Sequence, residues 1–290
     1  MIVIDLSQTL YASILAYDIK SPDKIDINLF RHLCLNAIHN ILSKFKFDYG
    51  NKIIIACDSK VNWRKDLFPY YKYNRKKSRD NSNIDWSKIF ENFEIIKDEI
   101  KQVFKHYKTI EVEGAEADDI IYCTAKYCYN RNEKLLIISS DKDLVQLQKY
   151  NNIKQFDSIR KIYKETDDPI KFLEYQVFKG DSSDGIPNIL SPSNTYYTGI
   201  RSKPLRESKI KEWLDDPAFT FNPKQVLGED IYNRYELNNK LIDLSNLPKN
   251  LFEEKTSIIE SPFNSRDNNE LLDYMCKNRL SNLIQHIQDF

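Results

Sequence analysis

Apolar runs and helical repeats alternate along the first half of the chain. Four apolar runs predict short buried strands: IVID (2–5), KIIIACD (52–58), TIEVEG (109–114) and KLLIIS (134–139). Apolar residues recur at helical spacing between these runs, which predicts amphipathic helices over residues 27–47, 86–107 and 116–129. Strands that alternate with helices indicate an α/β fold with a mostly parallel central sheet and flanking helices.

The pattern changes beyond about residue 180. No clear strand follows, and apolar periodicity predicts helices near residues 206–214, 229–242 and 270–289. A chain of 290 residues can bury one large core and a smaller one. We therefore expect an α/β domain over residues 1–184 and a smaller helical domain over residues 185–290.

The composition is that of an ordinary globular protein, with 41% hydrophobic and 30% charged residues. The N-terminal run lacks basic residues and is interrupted by Asp5, so we expect no signal peptide. No apolar stretch approaches the roughly 20 residues that span a bilayer. The five cysteines form no CxxC pair, and the Cys and His spacings, His32 and His39 included, match no zinc pattern. Cys34 and Cys57 fall in apolar runs, so we expect reduced thiols in a cytosolic protein.

The formal net charge is zero, yet the charges are unevenly distributed. Eight basic residues and a single acid, Asp66, lie between Lys60 and Arg79. Aromatic residues are interleaved with them in WRKDLFPYYKYNRKKSRD (63–80). Basic groups follow a phosphate backbone, and aromatic rings stack on bases at ~1–3 kcal/mol each. This stretch predicts a nucleic-acid contact, with a partly buried surface loop as the alternative. A second, weaker basic patch is GIRSKPLRESKIK (199–211).

Carboxylates follow successive predicted strands. Asp5, Asp58 and Asp141 lie at strand ends, and the helix after a further strand opens with Glu116, Asp118 and Asp119. In an open parallel sheet, ligands bind outside the carboxyl ends of the strands. Each acid alone is explained by helix capping or by the helix dipole. Several together must take up protons or bind cations, because two carboxylates 4 Å apart repel by about 4 kcal/mol at an effective dielectric of 20. Oxygen donors without His or Cys suit Mg²⁺ or Mn²⁺.

The segment KGDSSDGIP (179–187) places two further acids, Asp181 and Asp184, in a tight turn beside glycines. A helix C-cap followed by a turn explains this segment when it is taken alone. Beside the other acids it predicts a second cation position, since paired metals about 4 Å apart stabilise both the attacking and the leaving oxygen of a phosphoryl displacement. Acids that bind metal, together with a basic and aromatic segment, predict cleavage of nucleic acid.

The chain resembles the structure-specific 5′ nuclease (flap endonuclease) family in segments that follow the family's order. They are IDLSQ, RHLCLNAI, WRKDLFPYYKYNRKK, EADD, LLIISSDKDLVQLQKY, KGDSSD and YNRYELN. The resemblance implies a PIN-like nuclease core over residues 1–184, with a helical arch or bridge at about residues 60–85, and a helical DNA-binding domain over residues 185–290. It also implies Mg²⁺-dependent 5′→3′ hydrolysis of RNA–DNA hybrids and duplex DNA, with flap cleavage, in the removal of lagging-strand RNA primers.

The resemblance further implies the roles of single residues. A first metal ion would be held by Asp5, Asp58, Glu116, Asp118, Asp119 and Asp141. A second would be held by Asp143, Asp181 and Asp184, partly through water, with Asp141 shared between the two ions. Lys72 and Arg75 would engage the scissile phosphate, and Tyr71 would stack on a base. From the basic segments we expect further substrate contacts at Trp63, Arg64, Lys76, Lys77, Arg201, Lys203 and Arg206.

The resemblance also bears on partners. We expect a monomer that binds RNA–DNA hybrids and 5′-flap or forked DNA, with Mn²⁺ able to replace Mg²⁺. The bacteriophage branch of the family adds the cytoplasm of a bacterial host and a phage single-stranded-DNA-binding protein as a candidate partner. Two alternatives stay open. One is a haloacid-dehalogenase-type phosphatase, because SSDKD and GDSSD echo its motifs, and the other is a non-catalytic nucleic-acid-binding protein that keeps the nuclease fold.

Overall fold

The computed structural model describes residues 1–18 and 20–290, which form two compact units. The first unit comprises Met1–Val61, Asn83–Glu165 and Pro248–Phe290, and the second comprises Asn62–Ser82 and Thr166–Leu247. Each unit is built from segments that are separate in the sequence, whereas the predicted domains meet at residue 184. The predicted assignment of a nuclease domain and a DNA-binding domain on the two sides of that residue stays a prediction.

A six-stranded sheet forms the centre of the first unit. Its strands are β1 (Ile2–Asp5), β2 (Ile53–Ala56), β3 (Lys108–Ile110), β4 (Leu135–Ile138), β5 (Ile153–Asp157) and β6 (Ile162–Lys164). They lie in the order β3-β2-β1-β4-β5-β6, and every neighbouring pair is parallel except β5 and β6. Strands β1, β2 and β4 are buried along their whole length, which is why they read as continuous apolar runs. The predicted α/β fold with a mostly parallel sheet is confirmed.

The helices of the described chain are numbered in sequence order. They are α1 (Leu6–Tyr17), α2 (Ile27–Tyr49), α3 (Trp63–Leu67), α4 (Tyr73–Asp80), α5 (Trp86–Val103), α6 (Ala117–Asn130), α7 (Pro169–Lys179), α8 (Thr195–Thr198), α9 (Glu207–Asp215), α10 (Pro217–Phe221), α11 (Pro223–Leu227), α12 (Glu229–Ile242), α13 (Lys249–Glu260), α14 (Asn268–Lys277) and α15 (Ser281–Ile284). Short 3₁₀ helices cover Pro22–Lys24, Asp143–Lys149, Leu244–Asn246 and Ile287–Asp289. Helices α3, α4 and α7 to α12 belong to the second unit, and the others belong to the first.

The apolar faces of the first unit's helices form one core with the sheet. Phe30 and Ile38 of α2, Ile96 of α5 and Met275 of α14 join Ile4 of β1 in this core. Asp26 and Asp85 begin α2 and α5 by accepting hydrogen bonds from backbone N–H groups of the following turn. The C-terminal segment therefore completes the core of the unit that carries the sheet.

The second unit has its own apolar clusters. Phe68 and Tyr71 lie among Val177, Leu241 and Ile242 in one of them. In the other, the rings of Phe178 and Trp213 are stacked with their centroids 5.6 Å apart. Both clusters use residues of α7 and of the segment after it, so the loops of this unit are anchored on buried side chains.

Several predicted elements can be compared directly with the structure. The helices predicted near residues 206–214 and 229–242 correspond to α9 and α12. The single helix predicted over residues 270–289 is wrong, because α14 ends at Lys277, Arg279 has a φ of 55°, and α15 begins only at Ser281. Helices α1 and α13 and strands β5 and β6 were not predicted. None of the helices in the described part of the chain combines the length and apolar character needed to cross a membrane.

Candidate active site

The carboxyl ends of β1, β2 and β4 lie side by side at one edge of the sheet. Asp5 is paired in register with Ala56 of β2, and Ile4 is paired with Ile138 of β4. Asp58 follows shortly after β2, and Asp141 follows shortly after β4. The parallel register therefore brings Asp58 and Asp141 to the two sides of Asp5. The predicted convergence of these strand ends is present, and their role as metal ligands stays a prediction.

Asp5 is the buried member of this group, with 7% of the residue exposed. Its Oδ1 accepts a hydrogen bond from Gln8 N at 3.1 Å, and its Oδ2 accepts one from Ser139 Oγ at 3.0 Å. The pKa of Asp5 is nevertheless raised to about 7, first by burial and then by the negative charges of Asp58 and Asp141. The carboxylates at this edge thus repel one another, and a bound cation would relieve that repulsion.

The start of α6 supplies three more acids. Asp58 Oδ1 accepts a hydrogen bond of 2.9 Å from Ala117 N, the first residue of this helix. Glu116 and Asp119 form a capping box, in which each side chain accepts from the backbone N–H of the other. Asp118 lies in the first turn and is partly exposed. Capping therefore accounts for the local conformation of the EADD segment, and it also fixes the directions of the carboxylates.

Ser139 links two of the predicted metal ligands. Its hydroxyl donates to Asp5 Oδ2 and accepts from Asp141 N at 3.1 Å, and the residue is fully buried. Asp141 Oδ1 in turn accepts from Asp143 N at 2.9 Å. A single hydroxyl group thus contacts both Asp5 and the loop that carries Asp141 and Asp143.

A further polar network supports the loop after β4. Gln8 Nε2 donates to Ser140 Oγ at 2.8 Å, and Ser140 Oγ donates to Asp157 Oδ1 at 2.7 Å. Gln155 Nε2 donates to the backbone oxygens of Ser139 and Asp141 at 2.9 and 2.6 Å. These residues were not predicted from the sequence. The Ser-Ser pair before Asp141 was the available signal, but β5, which carries the partners, was not predicted.

In the second unit, Asp181 and Asp184 lie in a turn that requires glycine at two positions. Gly180 has a φ of 69°, and a Cβ added there would lie 2.4 Å from Ile186 O. Gly185 has a φ of 74°, and a Cβ there would lie 3.0 Å from Tyr70 O. Asp181 Oδ1 accepts from Ser183 N and Oγ at 2.8 and 2.7 Å. The turn is therefore closely fitted to its surroundings, and it holds both carboxylates in fixed places.

The segment Tyr71–Arg75 contacts Asp184 directly. Tyr71 Oη donates to Asp184 Oδ2 at 2.9 Å, and Arg75 Nη2 donates to Asp184 Oδ1 at 2.6 Å. Lys72 Nζ lies 3.9 Å from Oδ2, and its backbone N donates to Asp184 O at 2.7 Å. Lys72 has a φ of 57° and precedes α4. The residues predicted to engage phosphate and one predicted metal ligand thus form a single cluster.

Three predicted substrate contacts need correction. Trp63, Arg64 and Tyr71 are 8%, 2% and 4% exposed. The Arg64 guanidinium lies over the Trp63 ring, and its Nε donates to Leu241 O at 3.0 Å. Tyr71 is part of an apolar cluster, and its hydroxyl is bound to Asp184. The interleaved aromatic and basic pattern marks the interior of the second unit at these positions, so little of their surface is left for a base or a phosphate.

Other predicted contacts lie on the surface of the second unit. The exposed members are Arg75, Lys76, Lys77, Arg201, Lys203 and Arg206. An aromatic group missed by the sequence analysis is also found here, since the ring centroid of Tyr197 lies 5.0 Å from that of Tyr70 and 4.8 Å from that of Tyr73. Tyr197 is 50% exposed, which makes it better placed than Tyr71 to stack on a base.

One group of possible metal ligands lies elsewhere in the first unit. His39 Nε2 lies 2.9 Å from Asp289 Oδ2, and His286 Nδ1 lies 3.7 Å from the same oxygen. Lys46 Nζ donates to the backbone oxygen of Asp289, and Arg266 also contributes positive charge around Lys46. Because the Asp289 side chain is paired with His39 and its backbone oxygen accepts from Lys46, we interpret the group as a polar contact between α2 and Ile287–Asp289.

Two family models together match the whole chain. The model for the 5′–3′ exonuclease N-terminal, resolvase-like domain matches residues 1–175, and the model for the T4 RNase H C-terminal domain matches residues 170–290. Ribonuclease H of Enterobacteria phage T4 is 30% identical to this chain, over 99% of this chain and 95% of the relative. The 5′–3′ exonuclease of Buchnera aphidicola subsp. Schizaphis graminum is 30% identical over 65% of each chain.

Solved structures share the fold. The T5 5′-exonuclease with bound zinc ions superposes with a TM-score of 0.60 at 16% identity, over 90% of this chain and 98% of the T5 protein. The flap endonuclease of bacteriophage T5, in a complex with DNA and metal ions, gives a TM-score of 0.59 at 17% identity, over 89% and 97% of the two chains. The two T5 structures support the architecture derived above for this chain.

Proposed function

The chain belongs to the 5′–3′ exonuclease family, and from this membership we propose that it is a divalent-metal-dependent 5′ nuclease. Its substrates would be RNA–DNA hybrids and duplex or 5′-flap DNA, and its role would be the removal of RNA primers during lagging-strand replication. The observation that carries this proposal is the convergence of Asp5, Asp58 and Asp141 at one edge of the sheet, where burial and then the negative charges of Asp58 and Asp141 raise the pKa of Asp5 to about 7.

The donor set at this edge fits a hard divalent cation. Every candidate ligand is a carboxylate, and oxygen donors are those that Mg²⁺ and Mn²⁺ prefer. The ligands that we propose for the first ion are Asp5, Asp58, Glu116, Asp118, Asp119 and Asp141. When bound, such a cation would polarise phosphoryl oxygens and lower the pKa of a water molecule that attacks phosphorus. We propose Mg²⁺ as the resident ion, with Mn²⁺ as a substitute.

The chain's own residues would position these ligands. Ser139 holds Asp5 Oδ2 and the backbone of Asp141, and Asp143 N donates to Asp141 Oδ1, so both carboxylates have hydrogen-bond partners before a cation arrives. Capping by Asp58, Glu116 and Asp119 fixes the first turn of α6 in the same way. Ligands that are already oriented lose little entropy on binding, so these contacts favour cation binding at this edge.

In the second unit, we propose that Lys72 and Arg75 bind a phosphate of the substrate. Arg75 has a guanidinium with 45% of its side chain exposed, and such a group matches phosphate oxygens in a bidentate way. Asp181 and Asp184 would supply ligands for a second cation. Arg201, Lys203 and Arg206 are exposed and would contact the backbone of duplex nucleic acid. Tyr197 would stack on a base.

The two T5 structures support a nucleic-acid substrate and divalent metal ions, because they are described with DNA and with metal ions. We propose a monomer that acts on nucleic acid in the cytoplasm of a bacterial host. The phosphatase alternative is disfavoured because the segment before Asp181 is helix α7, whereas that class needs a strand there. The non-catalytic alternative would be supported by the loss of an acidic ligand, and all the acids are present.

The proposal is tested by incubating the purified protein with an RNA–DNA hybrid labelled at the 5′ or 3′ end of one strand. We expect short 5′-labelled products in Mg²⁺, none with excess chelator, and recovery when Mg²⁺ is restored. Products that begin at the 3′ end would contradict the proposed polarity. Binding of the hybrid without any cleavage in Mg²⁺ or Mn²⁺ would favour the non-catalytic alternative.

A further inference from the structure

Asp184 is bound by Arg75, a residue that is also proposed to bind a phosphate of the substrate. Its Oδ1 accepts a hydrogen bond of 2.6 Å from the Arg75 guanidinium, and its Oδ2 accepts one of 2.9 Å from Tyr71 Oη. The proposed function requires Arg75 to bind a phosphate and Asp184 to serve a cation. Both groups cannot do this fully while they are bound to each other, because a guanidinium 2.6 Å away neutralises the charge that would attract a metal ion.

The two partners differ in their freedom to move. The Asp184 side chain is 10% exposed, and it lies in a turn that Gly180 and Gly185 fit closely to neighbouring backbone. Arg75 has 45% of its side chain exposed and lies on α4, and its Nε also donates a long hydrogen bond of 3.4 Å to Ser183 O. Its long side chain can break these contacts and turn toward solvent. Tyr71, at 4% exposure, is fixed in the apolar cluster. Arg75 is therefore the group that can leave, and Asp184 with its Tyr71 bond is the group that stays.

We propose that Arg75 exchanges between Asp184 and a phosphate of the substrate, so that each binding event strengthens the other. When phosphate takes the guanidinium, Arg75 no longer offsets the negative charge of Asp184, and Oδ1 becomes a better ligand. When a cation occupies Asp184, Arg75 is displaced and becomes available to phosphate. By thermodynamic linkage the two effects are equal in size. This inference rests on the proposed function, because it assigns Arg75 to phosphate and Asp184 to a cation.

The exchange also gives Asp184 a role before the substrate arrives. The side chains of Arg75 and Lys72 both lie near the Asp184 carboxylate. The backbone N of Lys72 also donates to Asp184 O at 2.7 Å, and together these contacts hold the N-terminal end of α4 in place. Asp184 is thus a positioning residue for the substrate-binding segment as well as a candidate ligand. A purely structural ion pair would hold the segment in the same way, but it would not link cation affinity to nucleic-acid affinity.

The direct test is a Mn²⁺ titration by calorimetry, without nucleic acid, of the wild-type protein and the variants Arg75→Ala and Lys76→Ala. Both variants lose one positive charge from α4, but Lys76 has an exposed side chain and no recorded contact with Asp184 among the described residues. We expect the weaker of two Mn²⁺ sites to tighten by at least about fivefold in Arg75→Ala and to stay within about twofold in Lys76→Ala. Equal shifts in the two variants, no shift in Arg75→Ala, or a single site in the wild-type protein would overturn the proposal.

The reciprocal test measures nucleic-acid binding in chelator by fluorescence anisotropy. Asp184→Asn keeps an acceptor for Tyr71 but releases Arg75, so we expect hybrid binding to tighten by at least about fivefold. Asp181→Asn, in the same turn, provides the control for a lost negative charge. Tightening that is equal in both variants would overturn the exchange, and thermal melting confirms that each variant is folded.

Different results would contradict the nuclease proposal and the Arg75 exchange. If the wild-type protein cleaves the hybrid in Mg²⁺ but Arg75→Ala leaves Mn²⁺ affinity unchanged, the nuclease proposal stands and the exchange is wrong. If the wild-type protein neither binds nor cleaves the hybrid, the proposed function is wrong, and the exchange falls with it.

Discussion

Ser139 Oγ donates a hydrogen bond of 3.0 Å to Asp5 Oδ2, and this contact joins the ends of two neighbouring strands. The same oxygen accepts from Asp141 N, so its removal affects two candidate ligands at once. The serine is fully buried, and no water can easily take its place.

We therefore expect Ser139→Ala to lower turnover by about tenfold and to raise the Mg²⁺ concentration needed for half-maximal activity, since a lost hydrogen bond to a charged group costs about 1.5–3 kcal/mol. Ser43→Ala is the control, because Ser43 is exposed on α2 and its hydroxyl donates to Asn40 O. Steady-state rates over a Mg²⁺ series would check this. Unchanged Mg²⁺ dependence in Ser139→Ala would show that the hydroxyl does not position the ligands.

The raised pKa of Asp5 predicts a pH dependence of stability in the metal-free protein. The pKa of Asp5 is 3.8 when the residue is fully solvated and about 7 in the folded protein. At a pH between these two values, the folded state binds a proton that the unfolded state releases. Stability from this residue is therefore greatest at low pH and falls as pH rises toward 7, by about 4 kcal/mol in all. Asp5→Asn lacks this titration, so its stability relative to wild type should increase over the same range.

Urea unfolding in chelator at pH 5 and pH 7.5 measures this difference, with Asp273→Asn, exposed on α14, as the control. Saturating Mg²⁺ should reduce the dependence, because a cation favours the ionised carboxylate. A constant difference in stability between Asp5→Asn and wild type across this range would mean that the pKa of Asp5 is not raised in the folded protein.

Lys72 and Lys76 lie in one segment but are expected to act differently. Lys72 lies 3.9 Å from Asp184 with its side chain 20% exposed, and we assign it to the phosphate that reacts. Lys72→Ala should lower single-turnover cleavage by about 100-fold, with hybrid affinity changed by less than about fivefold. Lys76→Ala should instead weaken binding of the hybrid. It should also reduce the dependence of the hybrid affinity on salt concentration by the amount expected for about one lost phosphate contact. Proportional losses of rate and affinity in both variants would refute the distinction.

Tyr197 is more exposed than Tyr70, Tyr71 and Tyr73, so of these four rings it is the best placed to stack on a base. Base stacking on an aromatic ring is worth ~1–3 kcal/mol, so Tyr197→Ala should weaken single-strand binding by about five- to 100-fold. Tyr197→Phe should bind as wild type does, because a ring is all that stacking requires. Anisotropy with a labelled single strand checks both. If Tyr197→Ala retains full affinity, the exposed ring has no part in recognition.

The parts of the fold with a regular apolar pattern could be predicted from the sequence. Strands β1, β2 and β4 are buried on both faces, so their apolar runs were unambiguous, and the acids that follow them could be placed at one edge of a parallel sheet. Helix α1 was missed because polar residues such as Ser7 and Gln8 interrupt its apolar spacing. Strand β6 was missed because it is short and largely exposed, and β5 was missed because Lys154 and Gln155 interrupt its apolar run.

Contacts between residues that are distant in the sequence could not be predicted from periodicity. Helix α14 is amphipathic, but its pattern does not say which unit its apolar face will cover, and it joins the core beneath the sheet. Tyr71 and Arg64 lie in a segment that reads as a nucleic-acid surface. Their burial depends on Asp184 and Leu241, which are distant in the sequence and supply the hydrogen-bond partners.

The central claim is that the acids at the ends of β1, β2 and β4 bind a cation that is essential for cleavage. The most direct test measures the single-turnover rate at which a 5′-labelled RNA–DNA hybrid is cleaved over a series of Mg²⁺ concentrations. It compares the wild-type protein with Asp141→Asn and Asp273→Asn. We predict that Asp141→Asn loses at least about 10³-fold in rate at every Mg²⁺ concentration, as expected for lost metal catalysis, yet binds the hybrid as tightly as wild type. Asp273→Asn should cleave normally. Near-wild-type cleavage by Asp141→Asn, or wild-type cleavage that persists in excess chelator, would contradict the claim.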